Sequence, residues 1–84
     1  MPDDDAAAAR AAILDLLAHR DAGKTICPSE AARALAGDAF RDEMDAVREA
    51  AWELADEGAI DVTQHGRRVA REGLRGPIRL RRRA

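Results

Sequence analysis

The chain has 84 residues and a net charge of −2, with one Trp, one Phe and no Tyr. That length makes one small domain that buries only about 60% of its unfolded surface, and a core of Leu, Ile, Val, Met and Ala leaves too little volume for a buried catalytic cavity of ordinary size. No apolar run approaches the ~18 residues of a membrane span, and the acidic start Met-Pro-Asp-Asp-Asp lacks the basic-then-apolar order of a signal peptide, so a cytoplasmic protein is expected.

Residues 1–5 read as an acidic tail and residues 6–83 as a single domain. The run AAAARAAILDLLAHR places Ala6, Ala9, Ile13, Leu16 and Leu17 on one face at helical spacing. Asp3, Asp4 and Asp5 before it suit the positive end of the helix dipole. Asp21-Ala22-Gly23 stops the pattern, so the first helix is predicted over about 6–20.

Lys24-Thr25-Ile26 is long enough only for a short edge strand on a sheet made elsewhere. Pro28 then fits the first position of a helix, where its missing N–H costs nothing. Cys27 falls at the N-cap and Glu30 at the third helical position, a capping box with Cys in the slot that Ser or Thr usually holds. Sulfur accepts hydrogen bonds weakly, and Ser29 capping a slightly later start is the alternative. This helix is predicted over 28–36, ending at Gly37. Cys27 has no His or second Cys nearby in sequence to activate or resolve it, so it reads as a packing thiol. His19 and His65 lack metal-ligand spacing, and no metal is expected.

Phe40, Met44, Val47, Ala51, Leu54 and Ala55 form the strongest helical stripe, predicted as one helix over 40–57. Asp38 is its candidate cap and Gly58 its C-terminal glycine. Trp52 lies on the flank, half-buried against the hairpin that comes next in the chain.

After Gly58 the period falls to two. Ile60, Val62 and Gln64 alternate with Asp61 and Thr63 as a half-buried strand, and His65-Gly66 is a turn. Arg67-Arg68-Val69 reads as a second short strand and residues 70–76 as a loop. Pro77 to Arg82 forms the last strand, with Ile78 and Leu80 inward and Arg79 and Arg81 outward. The fold class is therefore α+β: a winged helix-turn-helix of three helices closed by a hairpin or a three-stranded sheet.

The stretches TICPSEAARAL, VREAAWELADEG, IDVTQHG and GPIRLR, over about residues 10–82, resemble an uncharacterised bacterial family of domains of unknown function. That family is regarded as winged-helix-like. Phe40 stands where its pattern usually has Trp, and Ala70 where it usually has Asp. The resemblance implies an architecture and brings no established activity.

Charge divides along the chain. Residues 1–61 carry 6 Lys+Arg against 15 Asp+Glu, whereas residues 62–84 carry 8 Arg against one Glu. An Arg-rich genomic bias explains the choice of Arg over Lys but not this segregation of sign. Across residues 41–57 there are 2 arginines and 7 carboxylates, which would repel phosphate, so this helix is a poor candidate for the major groove. Arg67, Arg68, Arg79, Arg81, Arg82 and Arg83 are the candidate nucleic-acid contacts, on a basic wing and terminal strand. Two other fates stand beside that one: remaining solvated or pairing within the chain, for instance with the acidic helix, and pairing with a protein partner or a second copy.

The sequence shows no Gly-rich phosphate loop and no nucleophile beside a base. The expectation is a non-enzymatic binding domain without cofactor, membrane or small-molecule substrate. Its expected partner is a nucleic-acid backbone. A homodimer contact or an acidic protein partner is the alternative.

Overall fold

A computed structural model of the chain describes residues 3–83. Met1 and Pro2 of the expected acidic tail lie outside the described residues. The elements run α1 (Asp3–Ala18), β1 (Thr25–Ile26), α2 (Pro28–Ala36), a 3-10 segment (Gly37–Glu43), α3 (Met44–Asp56), β2 (Ile60–Gln64), β3 (Arg67–Arg68) and β4 (Arg79–Arg82). The fold is mixed α+β. Its four-stranded antiparallel sheet has the order β1-β4-β2-β3, so it is one strand wider than a three-stranded meander. The added strand is β1, which pairs Thr25 with Arg81 and Ile26 with Leu80.

Helix α1 starts three residues earlier than expected and takes in Asp3–Asp5. It ends at Ala18, short of the predicted 20. Ala9, Ile13 and Leu17 are buried on its inner face. Helix α2 spans the predicted residues. Cys27 is its N-cap in an extended conformation, and Pro28 occupies the first turn. The Cys27 N–H donates to Glu30 Oε2 at 2.6 Å. Gly37 closes the helix at a φ of 56°, in the left-handed region that glycine reaches without strain.

The predicted single helix over 40–57 is divided. Gly37–Glu43 is 3-10, with Ala39 non-helical at φ −86° and ψ 16°, and α3 proper begins at Met44. Asp38 makes no side-chain cap at either start. The tight turn out of α2 competes here with the helical pattern. Phe40 is held by flanking guanidinium groups, with Arg33 Cζ 3.8 Å and Arg41 Cζ 4.8 Å from its ring centroid. Beyond Met44, Val47, Ala51 and Leu54 of the predicted stripe are buried and Ala55 is half-buried, while Ala50, outside the predicted stripe, is buried as well.

Helix α3 ends in a full Schellman motif. Ala59 N–H donates to Leu54 O, and Gly58 N–H to Ala55 O, each at 3.0 Å. His65 and Gly66 both have positive φ, 53° and 79°, as a two-residue type I′ hairpin turn between β2 and β3 requires. Val69 follows β3 and still donates to Val62 O at 2.9 Å.

The core lies between the helices and one face of the sheet. Ile13, Leu17, Ile26, Leu54, Ile60 and Leu80 are its largest fully buried side chains. Among the described residues, no helix is long and apolar enough to cross a membrane.

Candidate functional site

The alternation over residues 60–64 predicts a half-buried strand. In the structure Ile60, Asp61, Val62 and Thr63 of β2 are all buried, Asp61 at 8% exposure and Thr63 at 1%. Period-two alternation puts Ile60 and Val62 toward the helices and Asp61 and Thr63 on the outer face. That outer face is covered by arginines from the strands on either side. Arg68 pairs across from Thr63 on β3, and Arg79 and Arg81 stand opposite Thr63 and Asp61 on β4.

Asp61 is the centre of the arrangement. Arg83 Nε donates to its Oδ1 at 2.9 Å, Arg81 Nη2 donates to its Oδ2 at 3.2 Å, and Arg68 Nη1 lies 3.9 Å away. Burial alone would push the Asp61 carboxyl up. Hydrogen bonds from Arg83 and Arg81, with their positive charge, outweigh it and hold the carboxyl below its ordinary value. The fourth arginine of this face, Arg79, bonds only neutral acceptors. Its Nε donates to Thr25 Oγ1 at 2.9 Å, its Nη2 to Thr25 O at 3.3 Å and its Nη1 to Cys27 Sγ at 3.1 Å.

Three guanidinium groups thus surround the Asp61 carboxylate and a fourth, that of Arg79, stands apart from it, leaving a surplus of three positive charges on the outer sheet face. Each guanidinium carries five N–H donors; Asp61 accepts from Arg81 and Arg83, while Arg68 stands 3.9 Å from it without a hydrogen bond. The remaining donors of Arg68, Arg81 and Arg83 are free of that carboxylate.

The six arginines singled out in the sequence therefore separate into two groups. Arg68, Arg79, Arg81 and Arg83 are fixed on the sheet face. Arg67, at the hairpin turn, and Arg82, on β4, are exposed with no ion pair or side-chain hydrogen bond among the described residues. Arg75 on the loop 69–78 is likewise exposed, and its carbonyl is pinned by Gln64 Nε2 at 2.6 Å.

Within the chain, the carboxylate that Arg68, Arg81 and Arg83 meet is Asp61 on the neighbouring strand rather than the acidic helix. The link to that helix is made by Arg71, which forks onto Glu49. Arg10 of α1 reaches the end of α3 with two 2.8 Å bonds to Glu57. Asp42, Asp45, Glu53 and Asp56 remain exposed, as their spacing predicts.

Asp61 was legible only as a polar position in an alternating strand. The available signal was its placement in phase with Thr63 and opposite a strand of alternating arginines, but the pairing register needed the fold. Of the capping trio, Pro28 is buried, while Cys27 and Glu30 are half-buried at the start of α2. Glu30 also accepts from Arg20 Nη2 at 2.8 Å. Among the described residues, no group of three His, Cys, Asp or Glu side chains is placed to hold a metal ion.

Beside this face, a cleft of about 350 Å³ opens between α3 and the loop 69–78. Trp52, Ala55, Val62 and Val69 supply its apolar wall. Arg68, Arg71 and Arg83 border it, with Asp56 and Glu72.

The family model described as "Protein of unknown function (DUF3253)" matches residues 6–83. No curated protein matches the chain.

Proposed function

The chain belongs to the DUF3253 family of proteins of unknown function, and we propose that it is a non-enzymatic winged-helix domain that binds nucleic-acid backbone through its wing and outer sheet face. The connectivity supports the winged-helix reading. A short β1 lies between α1 and α2, the 3-10 segment and α3 come next, and β4 returns between β1 and β2. In this reading the wing is β3 with the loop 69–78.

One observation carries the functional reading: the surplus of three positive charges on the outer sheet face, to which the exposed Arg67, Arg75 and Arg82 add positive charge on the hairpin, the loop 69–78 and β4. Phosphate neutralisation supplies most of the non-specific affinity for nucleic acid. The exposed side of α3 has the opposite sign, so contact runs through the wing and sheet while α3 faces away.

The test is fluorescence anisotropy of labelled nucleic acid, duplex and single-stranded, against the full chain at low and moderate salt. The informative variant changes Arg67, Arg75 and Arg82 to Gln, because these side chains make no ion pair or side-chain hydrogen bond among the described residues. Binding should weaken with salt at about −0.9 per phosphate contact on a log–log plot. The triple variant should bind more weakly and with a shallower slope. No binding of either form at low salt would retire this reading.

A second reading rests on a different observation. The exposed carboxylates of α3 and the arginine face of the sheet are complementary between two copies of the chain. Sedimentation at low and high salt tests it, and a dimer that dissociates with salt is the expected result. Exposed pairs contribute only about 0–1 kcal/mol each, so such a dimer would be weak.

A further inference from the structure

We propose that the cleft between α3 and the wing receives an unpaired nucleobase, which makes single-stranded nucleic acid the preferred partner of the basic face. The inference rests on the nucleic-acid reading above and deepens it.

The cleft and the basic face are continuous. Arg68 and Arg83 stand beside Asp61 on the outer sheet face, and the same two side chains border the cleft. A strand whose phosphates track the arginines therefore passes the mouth of the cleft. Its volume, about 350 Å³, lies at the lower end of the ~300–1,000 Å³ typical of small-ligand sites, a scale suited to one nucleotide.

The lining has the chemistry of a base site. Trp52 is the single tryptophan of the chain and is only half-buried, with part of its surface on the cleft wall. Aromatic faces stack bases of any identity, and guanidinium planes do the same. Asp56 and Glu72 at the border would repel a phosphate inside the cleft. As acceptors they suit the N–H donors on the exposed edge of an unpaired base, whether an exocyclic amino group or the N3–H of thymine. The mixed border thus sorts the nucleotide, with the base inward and the phosphate outward on the arginines. A paired base inside a duplex presents neither its face nor its full edge to such a cleft.

Trp52 is also the probe. The full chain is titrated with oligothymidylate, with a duplex of matched length and with thymidine monophosphate, reading both tryptophan emission and anisotropy. Oligothymidylate should quench Trp52 and bind more tightly than duplex. Trp52→Leu should weaken its binding by roughly 5- to 150-fold, the range for loss of one aromatic–base stack. Ala70→Leu, at an exposed position on the cleft wall, should weaken single-strand binding without touching the core. That second variant keeps the test decisive if Trp52→Leu fails to fold.

Equal affinity for the two forms, or single-strand binding that leaves Trp52 emission unchanged, overturns the cleft proposal and leaves backbone binding standing. Quenching by the mononucleotide alone overturns it in favour of a small-molecule site. No binding of any polymer at low salt removes both readings.

Discussion

Arg83, the residue after β4, donates from Nε to Oδ1 of Asp61 at the centre of the sheet, at 2.9 Å. The Arg83 backbone N–H also reaches Ala59 O at 3.3 Å. Arg83 is thus joined by its side chain to β2 and by its main chain to the residue before β2. Asp61 holds Arg81 and Arg83 in place and draws Arg68 toward them. Its removal would leave like charges facing one another over a buried strand.

Asp61→Asn should accordingly destabilise the domain by about 1–2 kcal/mol, within the range for a hydrogen bond to a charged group and discounted for the exposure of the arginines. One kcal/mol corresponds to about 4–8 °C in a domain of this size. Thermal unfolding at neutral pH measures the shift. An unchanged midpoint would mean that the cluster contributes nothing to stability.

The same residue sets an acid dependence. The folded-state pKa of Asp61 lies below its unfolded value. The unfolded chain therefore takes up the proton first as pH falls. The contribution of Asp61 is complete above the unfolded value, about 3.9, and is lost as pH falls through the lower folded value. Urea unfolding at neutral pH and near pH 3 should show the gap between the native chain and Asp61→Asn narrowing in acid. A gap that stayed constant would contradict the assignment.

At the start of α2 the working group is Glu30, not the thiol. Glu30→Ala removes the acceptor for the Cys27 N–H and for Arg20, and should cost about 1 kcal/mol, as loss of a cap does. Cys27→Ser should stay within about 0.5 kcal/mol of the native chain, since the backbone N–H that Glu30 holds is unchanged. Paired denaturant melts test both, and a large loss in the serine variant would give sulfur packing the greater role.

Gly58→Ala should destabilise by about 1 kcal/mol, because the position sits at a φ of 82°, where a side chain is strained. An added Cβ would also come within 3.2 Å of Arg83 Nη1, but that group is the end of a flexible side chain and can move. The backbone conformation thus supplies most of the cost. A Gly58→Asn variant should recover part of it, since Asn tolerates the left-handed region better than Ala. Thermal midpoints of the two variants decide the order.

Local chemistry made much of the chain readable. Pro28 and Gly37 bound α2 because one fits only a first turn and the other adopts positive φ freely. Gly58 and the His65-Gly66 pair marked turns for the same kind of reason. The 3-10 break at Gly37–Glu43 was hidden because Phe40, Met44 and Val47 keep helical spacing across it. The spacing records which residues face the core. It does not record how tightly the chain must turn after α2.

The sequence by itself determined the mixed α and β elements, the buried stripes of α1 and α3, the acidic surface of α3 and the concentration of arginine toward the C-terminus. These arise from periodicity and side-chain chemistry, which act over a few residues. Only the tertiary structure decided that Arg68, Arg81 and Arg83 converge on Asp61, that Thr63 is buried on the outer face, and that Trp52 borders a cleft beside them. Those relations depend on strand register, and a shift of one residue turns every side chain to the other face. Register is fixed by packing of the whole sheet against the helices, which no local pattern contains.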